Sequence, residues 1–178
     1  MKPVRFYLLA LIIVVIDQLT KWTIVARLPY NNIPVPAVGR FLYLTHTHNT
    51  GGAFSLFQAG NAMFIVVAVL AIIALVYAYQ RMKKTDLAVT TALALALGGA
   101  IGNLIDRIRF HYVIDFFDIQ AGTGHSVWPI FNVADSAITV GIILLAGHFL
   151  LVRTPVEPQP ERPAPEEVTS ESVGEAMK

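Results

Sequence analysis

The sequence has no cysteine. That excludes disulfides, thiolate metal sites and a cysteine nucleophile, and the chain itself cannot be acylated on cysteine. Charge is scarce: of 178 residues, 14% are Asp, Glu, Lys or Arg and 55% are hydrophobic, with a mean hydropathy of +0.60. An ordinary soluble domain carries about 25% charged residues, so this composition excludes that class. Glutamate is missing from the whole apolar part and occurs only from Glu157 onward. The net charge of +1 comes without a strongly basic face, which leaves no electrostatic footprint for nucleic acid as a partner. Serine–histidine–aspartate and P-loop spacings are also absent.

What is present is apolar and comes in four blocks, over residues 4–26, 61–80, 87–108 and 133–152. Each is close to the roughly 20 residues a helix needs to cross a bilayer. The first follows Lys2 and Arg5 and could open a signal peptide, but no small-x-small cleavage site follows it. It reads as an uncleaved first helix. In the third block Ala94, Gly98 and Gly102 recur every fourth residue, a face that lets another helix approach closely. Between the first two blocks, residues 41–48 are rich in β-forming types and read as a strand, with His46 and His48 on one side of it as a solvent-facing pair. Gly51 and Gly52 follow, as in a turn or the floor of a ligand site. Gly122, Gly124 and Pro129 mark a loop between the last two blocks. Residues 1–152 thus form a polytopic membrane domain, and the Pro- and Glu-rich residues 153–178 a disordered tail. Lys2, Arg5, the basic residues 81–84 and Arg153 fall on one side of a four-span topology, which the positive-inside rule makes cytoplasmic, with both termini.

Against this apolar frame the carboxylates stand out. Four of the aspartates, Asp106, Asp115, Asp118 and Asp135, fall within residues 98–136. A charged group at mid-bilayer costs about 2.5–3.5 kcal/mol on insertion scales, so a cluster beside a membrane is a functional site by default. Asp17 and Lys21 are spaced i, i+4 and can pair on one helix face. Asp106 and Arg107 pair with each other or hold neighbouring backbone. Pro129 and Asn132 suggest a helix start, placing Asp135 near the positive end of its dipole. Asp118, three residues beyond Asp115, is brought near it by a turn or a short helix. His148 reads as interfacial or packed. Asp115 and Asp135, on either side of a loop at the outer surface, suit general acid–base hydrolysis with one shared proton. The residues alone stop at a membrane-embedded hydrolase with a carboxylate pair, or a proton-coupled transporter. A metal-dependent hydrolase using Asp115, Asp118, Asp135 and a histidine is a third reading.

Five motifs carry a resemblance: Asp17-Gln18-Leu19-Thr20-Lys21, Asn49-Thr50-Gly51-Gly52-Ala53-Phe54-Ser55, Gly102-Asn103-Leu104-Ile105-Asp106-Arg107, Val113-Ile114-Asp115-Phe116 and Phe131-Asn132-Val133-Ala134-Asp135-Ser136. In this order they resemble bacterial lipoprotein signal peptidase, the type II signal peptidase, over residues 4–152. The resemblance implies a membrane all-α core of four transmembrane helices, with a small extracytoplasmic β-sheet between the first and second. It implies an aspartic endopeptidase of the cytoplasmic (inner) membrane, monomeric and without metal or cofactor. Its partners would be membrane lipid and lipid-modified prolipoproteins, cut just before the diacylglyceryl-modified cysteine. The catalytic pair falls on Asp115 and Asp135. Pocket and substrate support fall on Asp17, Lys21, Asn49, Gly51, Asn103, Arg107, Asn132 and Ala134. The transporter reading fits less well: transporter sites lie near the midplane between internal repeats, whereas here the acidic pair lies at one surface and no repeat is visible.

Overall fold

The computed structural model describes residues 2–31, 33–51, 60–82, 86–122 and 124–151. The glycine turn at Gly52, the basic residues at 83 and 84 and the tail at 153–178 lie outside the described residues. Four helices carry the chain: α1 (Lys2–Arg27), α2 (Gly60–Arg81), α3 (Leu87–Phe110) and α4 (Val133–Leu151). All four are long and apolar enough to cross a membrane, and a helix is the form that satisfies every backbone polar group within the segment.

The third helix is the hub, packing against α1, α2 and α4. Its buried residues are mostly small, among them Ala92, Ala94, Ala96, Gly98, Gly99 and Gly102, so neighbouring backbones come close. A Cβ on Gly98 would lie 2.7 Å from the Ala10 carbonyl oxygen of α1. On α4, a Cβ on Gly141 would lie 2.6 Å from the Ala92 carbonyl oxygen. The small-residue stripe read from the sequence therefore meets α1, while a second seam through Gly99 and Gly141 meets α4. Asp86 caps the start of α3, its carboxylate accepting from the Ala88 and Val89 N–H groups at 2.8 and 3.2 Å. His111 closes it in the left-handed region (φ 66°), its N–H donating to the Arg107 carbonyl.

At one end of the bundle lies a three-stranded antiparallel sheet in the order β1 (Val35–Val38), β2 (Leu42–Asn49), β3 (Val113–Ile119). The first two strands come from between α1 and α2. The third is contributed by the α3–α4 connection, where the sequence suggested only a turn or short helix around Asp115 and Asp118. The segment VIDFFDI lacks the apolar–polar alternation of a half-buried strand because nearly all of it is buried. Ile114 and Phe116 cluster with Ile24 of α1. Strand geometry sends residues three apart to opposite faces of a sheet, so Asp118 does not join Asp115.

Candidate active site

The interior of the bundle holds a polar network built on Lys21, whose side chain is 2% exposed. Its Nζ lies 2.9 Å from Asp17 Oδ2, 2.8 Å from Asp106 Oδ2 and donates to Asn103 Oδ1 at 3.0 Å. The expected i, i+4 pair is thus part of a larger cluster, and Asp106 takes its charge partner from α1, not from Arg107. Asp106 also accepts from the Ile114 N–H at 3.1 Å, tying the start of β3 to α3 as the backbone-holding alternative proposed. Gln18 Nε2 bridges both carboxylates, at 3.2 Å from Asp17 and 2.9 Å from Asp106. Asp17 Oδ1 accepts from the Ala134 N–H at 3.0 Å, which fastens the first turn of α4 to α1. Ala134 is fully buried and faces Gly102, so its side chain has to be small and its contribution to the network is its backbone.

From this cluster the network runs outward to Asp115 and Asp135. Asn103 Nδ2 donates to Asp135 Oδ1 at 2.7 Å, and the Asn132 N–H to Asp135 Oδ2 at 3.3 Å. Asn132 Oδ1 accepts from the Asp135 N–H at 2.9 Å, so the two residues form a reciprocal capping arrangement at the start of α4. Asp115, projecting from β3, accepts from Asn132 Nδ2 at 2.6 Å and from Asn49 Nδ2 of β2 at 2.8 Å. Asn49 is itself held by the Gly51 N–H, which donates to its Oδ1 at 3.3 Å. Asn132 therefore touches both aspartates, and sheet, α3 and α4 meet through amide side chains. Burial pushes the Asp115 carboxyl up to about 7, with the negative charge of Asp135 adding to the rise and the Asn49 and Asn132 amides and Lys21 opposing it.

Beside this pair opens a cleft of about 650 Å³, lined by Asn49, Arg107 and Asp135 and walled by Ile119, Trp128, Ile130, Phe131, Ile138 and Val140. Asp135 is half-buried at its edge, and Asp115 lies behind, 1% exposed. Arg107 stacks over Phe64 of α2 at 5.0 Å and lies within the field of Asp135, Asp115 and Asp106. All ten residues nominated by the resemblance belong to this network or border the cleft.

Other expectations are corrected. Asp118 faces the opposite side of the sheet, where it accepts from Thr45 Oγ1 at 2.9 Å and Gln120 Nε2 at 2.6 Å. It supplies no third carboxylate to the pair. His46 is buried, not solvent-facing, and its Nδ1 meets the Leu28 carbonyl at 2.9 Å. His48 stacks between Tyr30 and Tyr112, at 4.0 and 3.7 Å. Among the described residues, no group of three or more His, Asp or Glu is placed to hold a metal ion. Gln18, Thr45 and Gln120 were given no role by the sequence. Gln18, adjacent to Asp17 in an apolar helix, carried a usable signal, since an amide there also needs partners. Thr45 and Gln120 carried none, because their roles depend on strand register.

Fold and site together define a class: a multi-pass membrane protein with a carboxylate-lined cleft where its helix bundle meets a small sheet. The model of the signal peptidase (SPase) II family matches residues 9–151, and the chain belongs to that family. It is 43% identical over 146 residues to the lipoprotein signal peptidase of Moorella thermoacetica, covering 82% of this chain and 93% of that one. It is 40% identical over 158 residues to the lipoprotein signal peptidase of Desulforapulum autotrophicum, covering 85% and 95%. Among solved structures, a bacterial membrane enzyme determined by the in meso method at 2.3 Å superposes with a TM-score of 0.77 at 29% identity, covering 89% of this chain and 94% of the other.

Proposed function

We infer that this protein is an aspartic endopeptidase that removes the signal peptide from diacylglyceryl-modified prolipoproteins, cutting just before the lipidated cysteine. The observation that carries the reading is the meeting of Asp115 and Asp135 from two separate elements, β3 and α4, through one shared asparagine at the edge of an apolar-walled cleft. Two like charges held in one electrostatic unit do not both ionise cheaply, so the pair keeps one proton. Asp115, buried and pushed up to about 7, is the member that holds it. Asp135, open to the cleft, takes a proton from water as its oxygen attacks the carbonyl carbon of the scissile bond. The proton on Asp115 goes to the carbonyl oxygen. Collapse of the tetrahedral species breaks the C–N bond: the proton taken up by Asp135 passes to the departing amine of the cysteine, and as the carbonyl re-forms one hydroxyl proton returns to Asp115, restoring the singly protonated pair. Arg107 and Asn49 line the same cleft and suit the binding of substrate carbonyl oxygens, while Gly51 holds Asn49. Asp17, Lys21, Asn103, Asn132 and Ala134 support the pair from behind.

The apolar walls provide for the substrate's acyl chains, and the position at the bundle's end suits a bond anchored by lipid in the outer leaflet. Residues 1–152 would form the peptidase domain of a monomer, with both termini cytoplasmic and the site at the outer surface. Asn is nearly isosteric with Asp but cannot exchange the proton. Asp115→Asn and Asp135→Asn should each abolish turnover of a lipidated prolipoprotein by purified enzyme in detergent, each about as completely as the double variant. Asp118→Asn, on the other face, should be milder. Cleavage should persist with chelator present. Substantial cleavage by either dyad variant would overturn the assignment.

A further inference from the structure

The orientation of one amide decides what Asp135 meets, and that orientation is set from the interior of the bundle. An ammonium has three donors and no acceptor, so only the oxygen end of the Asn103 amide can face Lys21. Lys21 in turn is held between Asp17 of α1 and Asp106 of α3, both essentially unexposed, and cannot swing away. Asn132 Nδ2 reaches the same Asn103 oxygen at 3.2 Å. With the oxygen engaged twice, the Asn103 NH2 group is left to donate to Asp135 Oδ1. The two ends of an amide have the same shape, so sterics alone would not choose between the two orientations.

We propose that Lys21 is a positioning residue for the Asp115–Asp135 pair: by fixing which end of the Asn103 amide faces α4, it keeps Asp135 an acceptor at the edge of the cleft. This rests on the reading of that pair as catalytic. With Lys21 replaced by Met, Asp17 and Asp106 draw the Asn103 NH2 group inward. The amide oxygen then turns to Asp135, and two acceptors face each other unless Asp135 carries a proton. Asn132 Nδ2, which also reaches the Asn103 oxygen at 3.2 Å, does not hold it there alone, because its shorter bond, at 2.6 Å, goes to Asp115. Asp115 of β3 adds negative charge, Asn132 still donates from the start of α4, and among the described residues Arg107 of α3 is the one nearby cation on the cleft side. An acceptor facing an acceptor favours the protonated form, so the base that activates water is lost earlier as pH falls.

The test is the pH dependence of kcat/KM for a lipidated prolipoprotein, using the full chain in detergent. Lys21→Met should move the acid limb upward by about one pH unit or more with little change in KM on the plateau. Lys21→Arg keeps a donor-only cation and should leave the limb where wild type has it, even at a lower rate. Asn103→Asp presents an acceptor to Asp135 with Lys21 in place, and should show the same upward move as Lys21→Met. Asn103→Leu, which removes the donor to Asp135 without adding charge, should move the limb in the same direction and stands in if Lys21→Met does not fold. An unmoved limb in Asn103→Asp, or in a folded Lys21→Met that is merely slower, overturns the proposal and leaves Lys21 as a charge neutraliser. That result, with Asp115→Asn and Asp135→Asn inactive, would spare the catalytic assignment. Cleavage by either of those two would remove the assignment itself.

Discussion

Asp115 is the residue whose environment most directly predicts a measurable pH response. Its carboxyl is raised from 3.8 to about 7, so the fold disfavours its charged form. Its contribution to stability is therefore fully present below about pH 4 and is lost as pH rises toward 7. Replacing it by Asn removes that cost of charging but also one of two acceptor oxygens, because Asn49 and Asn132 both donate to the carboxylate. The thermal midpoint of Asp115→Asn, relative to wild type, should rise between pH 4 and 7 and stay level above that, by the equivalent of roughly 4 kcal/mol at ~1.4 kcal/mol per pKa unit. A difference that is flat across that window would mean Asp115 is not strained by its charge. In the wild-type enzyme, activity should fall above about pH 7 as Asp115 gives up its proton. The two aspartates were legible in the sequence because a carboxylate beside an apolar segment needs a reason to be there. The separation of Asp118 from them was not. It depends on whether residues 113–119 form a strand, and a strand buried on both faces loses the alternation that would reveal it.

Among the elements, α3 sets the tolerances. The every-fourth-residue pattern of Ala94, Gly98 and Gly102 told correctly that a helix comes close, but not which one or what it carries. At Gly102 the neighbour is the Asp17 carboxylate: an added Cβ would lie 2.6 Å from Asp17 Oδ2 and 3.1 Å from its Cγ. That oxygen also bonds Lys21 and Gln18, so it cannot move without loosening both. Gly102→Ala should cost about 1–3 kcal/mol, the usual range for overpacking, and should lower activity as well as thermal stability. Gly141→Ala presses on the Ala92 carbonyl oxygen, about two turns along α4 from Ala134 and the polar network. It should lower the thermal midpoint comparably while leaving the acid and base limbs of activity in place. The paired measurement separates the helix seam from the site. The sequence could not make that distinction, because small residues give no sign of whether backbone or a carboxylate lies opposite.

For the whole molecule, the family model ends at residue 151, and the Pro- and Glu-rich residues 153–178 lie beyond it. Truncation after Thr154 should leave specific activity in detergent nearly unchanged, and a loss above about tenfold, or ~1.4 kcal/mol of transition-state stabilisation, would assign those residues a role in the reaction. The larger expectation is orientation. Four helices joined in sequence put the sheet and cleft at one end of the bundle, with the α2–α3 connection and the two outer helix ends at the other. Basic residues occur at both ends, which blurs the positive-inside reading. The structure gives two of the arginines at the cleft end another occupation: Arg107 lies over Phe64 and near the carboxylates, and Arg109 lies over Phe110 at 4.9 Å. With those two discounted, the remaining bias toward Lys2, Arg5 and Arg81 would, by the positive-inside rule, put that end of the bundle in the cytoplasm. The absence of cysteine from the chain makes the test clean, since any introduced thiol is the sole target. Ala37 of β1 and Gln80 near the end of α2 are both exposed and uncharged, so changing them leaves the charge distribution intact. A membrane-impermeant maleimide applied to right-side-out vesicles should label Ala37→Cys directly and Gln80→Cys only after solubilisation. The reverse pattern would place the cleft in the cytoplasm, out of reach of a bond held in the outer leaflet.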